Sequence, residues 1–572
     1  MSHSLYSPVN YDNSGNSKVS KTRILRGLAI LLLAVGVTTY SVDTSLKKGR
    51  LSNVPNYDDV TYFVSATDLL QSTKEDGFKG LMNFLHRDGL HSPYSTGLAS
   101  LAYLMGGYND VAPYAANGIL IVVYLCCVSY FFRDCNTVYF CLALWTFVML
   151  PFANLAVVEF RPDPAWAVVT GFAVVFAITR ENFFENWRVP AAFGALVGIS
   201  LLIKPSTFAM TIVAATSAFG SRWIVEFART DRTRAMRVLA PSFFLAGGSA
   251  ILVAAPYFAF HWRDTWNYFY ENSFGKNAAV WANPGDRWDQ WLFYLSGGGA
   301  ASNLGSHCWI ILAIIFGLAV WNFKQSSVVG RLQTAFLGIV LVMVYYINST
   351  AAAKTPFLGG AFYGILIFSA AYFAGKVLSG ASNSSTVFVF NFRVYDMPGG
   401  KISSRLLAQS PRLNLKPCYL LLIIPIVMTG YHRWPACSTW PKSERNLCFV
   451  RANAEAKKYF STISTPKSIL FTQAGPVVFE NIQIYYLRRG ERPSMNSGAF
   501  LRSVDEFKEA IKKTDVVIAQ DRETLGGASF VPSEPLQDEF LSTLGADTTF
   551  QLEKTIPISE GRNVYIFARK KK

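Results

Sequence analysis

Apolar runs recur along most of this chain, each bounded by a short polar or charged segment. The first covers 27–42, and ten more follow at about 114–132, 136–158, 165–179, 190–203, 207–219, 241–260, 308–323, 332–347, 360–376 and 418–431. A straight membrane helix needs roughly 20 apolar residues. Several runs are shorter, so the pattern sets their ends loosely and predicts about eleven spans. Ahead of the first run lies a polar stretch rich in Ser and Asn, 1–20, which reads as a flexible tail. Lys18, Lys21, Arg23 and Arg26 then lead into the run. No cleavage site follows, so it reads as a retained anchor rather than a signal peptide.

Two longer polar segments interrupt the series. Residues 43–113 predict interfacial helices, with an amphipathic stretch at 84–105. Residues 261–307 mix Trp262, Trp266, Tyr268, Tyr270, Trp281, Trp288 and Trp291 with Asp264, Asp286 and Asp289. These aromatics fit a belt at the lipid–water interface as well as they fit the rim of a sugar or lipid site. From residue 437 the pattern becomes that of a soluble domain. Residues 468–472, 482–487, 515–520 and 563–568 read as strands, and Val504, Phe507 and Ile511 share one helix face. The fold class expected is an all-α polytopic bundle, 21–436, with juxtamembrane helices and a small C-terminal α/β domain, 437–572.

Composition agrees with a membrane solvent. Of 572 residues 51% are hydrophobic, 15% aromatic and 16% charged, against about 25% charged in a typical soluble protein. The net charge of +16 falls in short clusters between spans, which excludes a nucleic-acid partner and supplies a topology signal. With the N-terminus inside, the inner loops receive Arg133, Arg180, Arg188, Arg222, Arg229, Arg232, Arg234 and Arg237, then Lys324, Arg331 and a basic series from Lys376 to Lys416. Short outer loops receive single cations: Arg161, Lys204 and Lys354. The chain is therefore expected in the cell membrane with a cytoplasmic N-terminus and an extracytoplasmic C-terminal domain. Among eight cysteines, Cys437 and Cys448 alone lie in that domain. They are expected to form a disulfide there, free thiols being the alternative.

The outer loops carry the candidate chemistry. Asp58 and Asp59 follow the first span, where one of them suits a general base for an acceptor hydroxyl; on spacing alone a solvated turn or helix N-terminus is the favoured reading. Glu159, Arg161 and Asp163 lie in a proline-stiffened turn, either as a phosphate-facing constellation or as a local ion pair. Lys204 and Lys354 each head an outer turn, suited to a carrier phosphate or to snorkelling at the interface. Paired acids and three cations on one side of a bundle suit a hydroxyl nucleophile and a phosphate leaving group.

In their order these motifs resemble the GT-C superfamily of integral-membrane glycosyltransferases. They are most similar to the branch of protein mannosyltransferases, lipid A aminoarabinose transferases and rhizobial core galacturonosyltransferases. The residues concerned are Asp58-Asp59-Val60-Thr61-Tyr62, His91-Ser92-Pro93-Tyr94, Arg161-Pro162-Asp163 and Lys204-Pro205. Asp59 stands where the family usually has Glu. The resemblance implies inverting transfer from a polyprenyl-phosphate sugar donor to a glycolipid, glycan or protein acceptor, without a nucleotide. It implies Asp58 as base, Asp59 orienting it, and Arg161, Lys204 and Lys354 at the carrier phosphate. Tyr62, His91 and Asp163 become substrate contacts. No cofactor is required, and the shorter Asp59 leaves open a divalent metal at the site. A transporter or flippase of lipid-linked sugars, or an oligosaccharide polymerase or ligase, is the competing class. The first would show internal repeats and mid-membrane charges, and the second a late catalytic loop.

Overall fold

A computed structural model describes residues 14–55, 57–87, 92–275, 278, 286–305, 307–351, 353–383, 444–472, 477–522, 531–558 and 561–570. In chain order its helices are α1 (Ser14–Lys48), α2 (Tyr57–Arg87), α3 (Pro93–Gly106), α4 (Ala112–Phe131), α5 (Thr137–Val148), α6 (Pro151–Val158) and α7 (Pro162–Thr179). They continue with α8 (Arg188–Ile203), α9 (Phe208–Arg229), α10 (Arg232–Ser273), α11 (Arg287–Leu292), α12 (Gly298–Leu304), α13 (Cys308–Gln325), α14 (Val328–Thr350) and α15 (Gly360–Asn383). Among the described residues eight helices are long and apolar enough to cross a membrane, and the bent pair α5–α6 makes nine. Helix α8 is shorter but apolar. Ten of the eleven apolar runs therefore appear as helices, and the eleventh, 418–431, lies outside the described residues. The chain is a multi-pass membrane protein.

Several boundaries differ from the sequence pattern. Helix α1 begins at Ser14, inside the stretch read as a tail. The 84–105 stretch is not continuous: α2 ends at Arg87, and α3 starts afresh from Ser92, whose hydroxyl caps the Ser95 N–H, with Pro93 at the first position. Helix α10 runs 42 residues to Ser273, so Trp262, Trp266, Tyr268 and Tyr270 sit on it rather than in a loop. Pro241 and Pro256 are carried within it. Trp281 lies outside the described residues.

The bundle packs tightly where small residues face each other. A Cβ on Gly171 of α7 would lie 2.2 Å from the Gly364 carbonyl carbon of α15, and one on Gly364 would lie 2.0 Å from Ala167 O. Backbone contact of this kind is how helices associate when lipid offers no hydrophobic contrast. Proline shapes the neighbouring segment. Pro151 lacks an N–H and forces Leu150 into extended geometry (ψ 138°), so α5 and α6 meet at 60°. Glu159 and Arg161 are likewise extended, and Pro162 starts α7.

The C-terminal unit adds α16 (Glu444–Thr462), α17 (Phe479–Leu487), α18 (Val504–Lys512) and α19 (Gln537–Ala546) around a five-stranded sheet. Its strands are β1 (Ser468–Phe471), β2 (Ser494–Ser497), β3 (Val516–Gln520), β4 (Phe550–Pro557) and β5 (Asn563–Arg569), in the order β2-β1-β3-β5-β4. β1 runs parallel to β2 and β3, while β5 is antiparallel to β3 and β4. Alternate residues feed two cores: Ile469 and Phe471 face α16 and α17, and Leu470 faces α18 and α19. The segment 482–487, read as a strand, is instead the helix α17. A short apolar run fits either state, and here one face packs on the sheet while Val478 and Ile484 enter the membrane-domain core. Cys448 lies on α16 without a disulfide among the described residues; Cys437 lies outside them.

Candidate active site

The loop between α1 and α2 turns through a single 3₁₀ turn, Arg50–Ser52, and brings Arg50 back over the start of α2. There Asp58 and Asp59 occupy the first turn, where carboxylates complement the helix dipole. Their surroundings differ sharply. Asp59 has no exposed surface, and one of its oxygens takes the Arg50 guanidinium at 2.8 Å, the Tyr114 hydroxyl at 2.9 Å and the Phe160 N–H at 3.1 Å. The extended geometry of 159–161 is what frees that N–H. Arg50 continues to Glu159, so the group forms one buried ion network. A buried acid of this kind is tolerable because three donors converge on one oxygen; the other oxygen has no hydrogen-bond partner among the described residues and faces Arg161 at 3.8 Å.

Asp58 points outward, its side chain 64% exposed, and one oxygen accepts a hydrogen bond from Arg161 at 2.9 Å. Arg161, half-buried at the N-terminal cap of α7, also lies 3.4 Å from Glu159 and 3.8 Å from Asp59, and its guanidinium covers the Phe357 ring at 4.3 Å. Burial opposes its charge, but Asp58, Asp59 and Asp163 together outweigh burial and raise its pKa. In the first turn of α7, buried Asp163 pairs with Lys204, which ends α8. The Lys204 ammonium also stands 5.6 Å from the centre of the Trp166 ring. Tyr62, one turn beyond Asp58 and Asp59, is buried beside this group. Its burial, then the charges of Asp58 and Asp163, hold its hydroxyl well above its usual pKa.

The structure thus brings Asp58, Asp59, Tyr62, Arg161, Asp163 and Lys204 together at one end of the bundle. Lys354 takes a different part. Its ammonium is buried and donates to the carbonyls of Asn348 (3.1 Å), Ser349 (3.0 Å) and Ala351, closing the C-terminal end of α14. Burial lowers its pKa. All three of its N–H groups are occupied there. His91 lies outside the described residues. Sequence reading missed Arg50, whose signal was a basic residue between the first apolar run and the acid pair. It also missed Tyr114 as the hydroxyl on Asp59. Among the described residues no group of three or more His, Cys, Asp or Glu could hold a metal ion. The site carboxylates face guanidinium and ammonium groups instead, a donor set that does not fit a cation.

The fold and this charged group define a class: a polytopic helical membrane protein with an ion-paired site at one end, beneath a docked soluble domain. No family model and no curated protein matches the sequence. Among solved structures the chain is similar to ArnT from Cupriavidus metallidurans bound to undecaprenyl phosphate, with a TM-score of 0.53 and 11% identity over 94% of this chain and 97% of that one. The apo state of the same protein gives 0.52 and 12% over the same shares. The chain shares the fold of that protein over nearly its whole length, soluble domain included.

Proposed function

We propose that this protein is a membrane glycosyltransferase that moves a sugar from a polyprenyl-phosphate carrier to a hydroxyl on an extracytoplasmic acceptor. One observation carries the reading: an exposed carboxylate, Asp58, is held by a half-buried arginine beside a Lys–Asp pair, on a fold whose solved relative was crystallised with undecaprenyl phosphate. Arg161 and Lys204 would take the carrier phosphate by charge-assisted hydrogen bonds. Both are paired with acids, so an arriving phosphate competes with Asp58 for Arg161 and with Asp163 for Lys204. Losing Arg161 frees the Asp58 oxygen for the acceptor hydroxyl, which couples donor binding to base availability.

In the transfer, the acceptor oxygen forms a bond to the anomeric carbon as its proton passes to Asp58. The carbon–oxygen bond to phosphate breaks, and its electron pair leaves with the polyprenyl phosphate, stabilised by the two cations. Attack opposite the leaving group inverts the anomeric centre. Asp59 and Arg50 fix the helix turn that presents Asp58.

Mass spectrometry of envelope glycolipids and glycans from cells with and without the protein tests this directly. A sugar missing from one species in the deletion strain is expected. An unchanged envelope, with lipid-linked sugar accumulating on one face of the membrane, would favour a flippase.

A further inference from the structure

Asp58 begins a stripe along α2. Thr61, Ser65 and Asp68 follow it at helical spacing, about three or four residues apart, and so share its face. Beyond Asp58, the residues Thr61, Val64, Ser65 and Asp68 form one wall of a cleft of about 300 Å³; α17 of the soluble domain is the other, contributing Phe479, Glu480 and Gln483. Arg87, paired with Asp68, closes the end.

The two walls are fixed relative to each other. Asn481 donates to the Pro55 carbonyl at 2.8 Å, and Ile484 is buried in the membrane-domain core. Arg488 reaches Asp110 at 3.4 Å and lies against the rings of Tyr103 and Tyr108. Arg492 reaches Asp68 and Glu75, both at 3.3 Å. Thus α17 docks with one face and turns the adjacent face, Glu480 and Gln483, toward Asp58's helix.

We propose that this cleft is the acceptor subsite, in which a hydroxyl-rich, uncharged sugar unit lies between α2 and the soluble domain. The proposal rests on the glycosyltransferase reading and extends it to the acceptor. Its lining alternates hydroxyls, an amide, carboxyls and one guanidinium, groups that both donate to and accept from sugar hydroxyls, and Phe479 adds an aromatic face. The volume is at the low end of ordinary small-molecule sites, about 300–1,000 Å³. Arg87 and Arg492 are both engaged by Asp68, so the lining offers a phosphate no unpaired cation among the described residues. Burial, and secondarily the charge of Asp58, push the Glu480 carboxyl up to about 7. Near neutrality it therefore offers a proton as readily as a lone pair.

The test uses the full-length protein in lipid nanodiscs, with methyl glycosides of glucose, mannose and galactose as probes in saturation-transfer NMR. At least one glycoside should bind. At pH 8, where the Glu480 carboxyl is mostly ionised, its affinity should fall about tenfold in Glu480→Gln, which removes a charge-assisted hydrogen bond, and binding should vanish in Gln483→Trp, which fills the cleft. Glu480→Gln is isosteric and stands in if the Trp variant fails to fold, as its melting temperature will tell. Absence of glycoside binding, or binding unchanged in Glu480→Gln, overturns the proposal, as does tighter binding of glucose 1-phosphate than of methyl glucoside. Undecaprenyl phosphate is titrated in parallel. Its failure to bind would count against the donor reading, while glycoside binding reports on the cleft alone.

Discussion

Asp58 and Asp59 are adjacent in sequence but about 100° apart around the helix, and that rotation separates their tasks. For Asp58→Asn we expect turnover to be abolished while undecaprenyl phosphate still binds. The amide keeps the shape but cannot take the acceptor proton. Asp58 is the exposed partner, and Arg161 keeps Glu159 at 3.4 Å, so losing the pair should cost about 1 kcal/mol or less and melting should barely change. Near wild-type single-turnover rates would refute the assignment. Asp59→Asn should behave oppositely, because it removes one of the two buried counter-charges of Arg50 and leaves only Glu159. A loss of about 3–5 kcal/mol is expected, read as a large drop in melting temperature, with Arg50→Ala giving a similar drop. Arg161→Ala and Lys204→Ala should each weaken undecaprenyl phosphate binding about tenfold or more, measured by titration in nanodiscs. Sequence made the acid pair visible. It did not show which acid was buried, because that depends on Arg50, Tyr114 and Phe160, up to 101 residues away.

At the scale of elements, the position of Arg161 and Asp163 depends on how α7 packs against α15. Gly364→Leu should push the helices apart, since even a Cβ would meet Ala167 O at 2.0 Å. Overpacking of this kind costs about 1–3 kcal/mol or more. It should appear as a lower melting temperature together with weakened undecaprenyl phosphate binding. Gly247→Ala on α10, where a Cβ would meet nothing within 4 Å, is the control and should leave both unchanged. Apolar runs gave most spans directly because each buries its own backbone hydrogen bonds. The run 482–487 was misread because a strand and a buried helix share the same short apolar signature. Its neighbours in space, α2 and the sheet, decide between them.

For the molecule as a whole, the soluble domain covers the same end of the bundle that carries Asp58, through the Arg488, Arg492 and Asn481 contacts. The domain carries its own pH signature. Burial raises the carboxyl of Glu534 from 4.5 to about 7, with Arg522 and Arg562 only partly offsetting it. The folded state then holds this proton to higher pH than the unfolded chain. Its stabilising contribution is complete below about pH 4 and is lost as pH rises through 7. Glu534→Gln in the intact protein should flatten the fall in melting temperature between pH 5 and 8, by a difference on the order of 2 kcal/mol. An identical pH profile in variant and wild type would show that Glu534 does not titrate in this range.

Sequence alone determined the solvent of this protein and the order of its parts. Long apolar runs must become helices in lipid, since no other partner exists there for backbone N–H and C=O groups. The switch to alternating short runs after residue 437 marks a domain that folds in water. Tertiary structure alone decided which charges stay open and which are braces. A charge's role follows from its burial and its nearest opposite charge, and both are set by residues distant in the chain. Thus Asp59 became the centre of a buried network and Lys354 a helix cap, while Asp58 kept an open face beside a cleft half made by another domain.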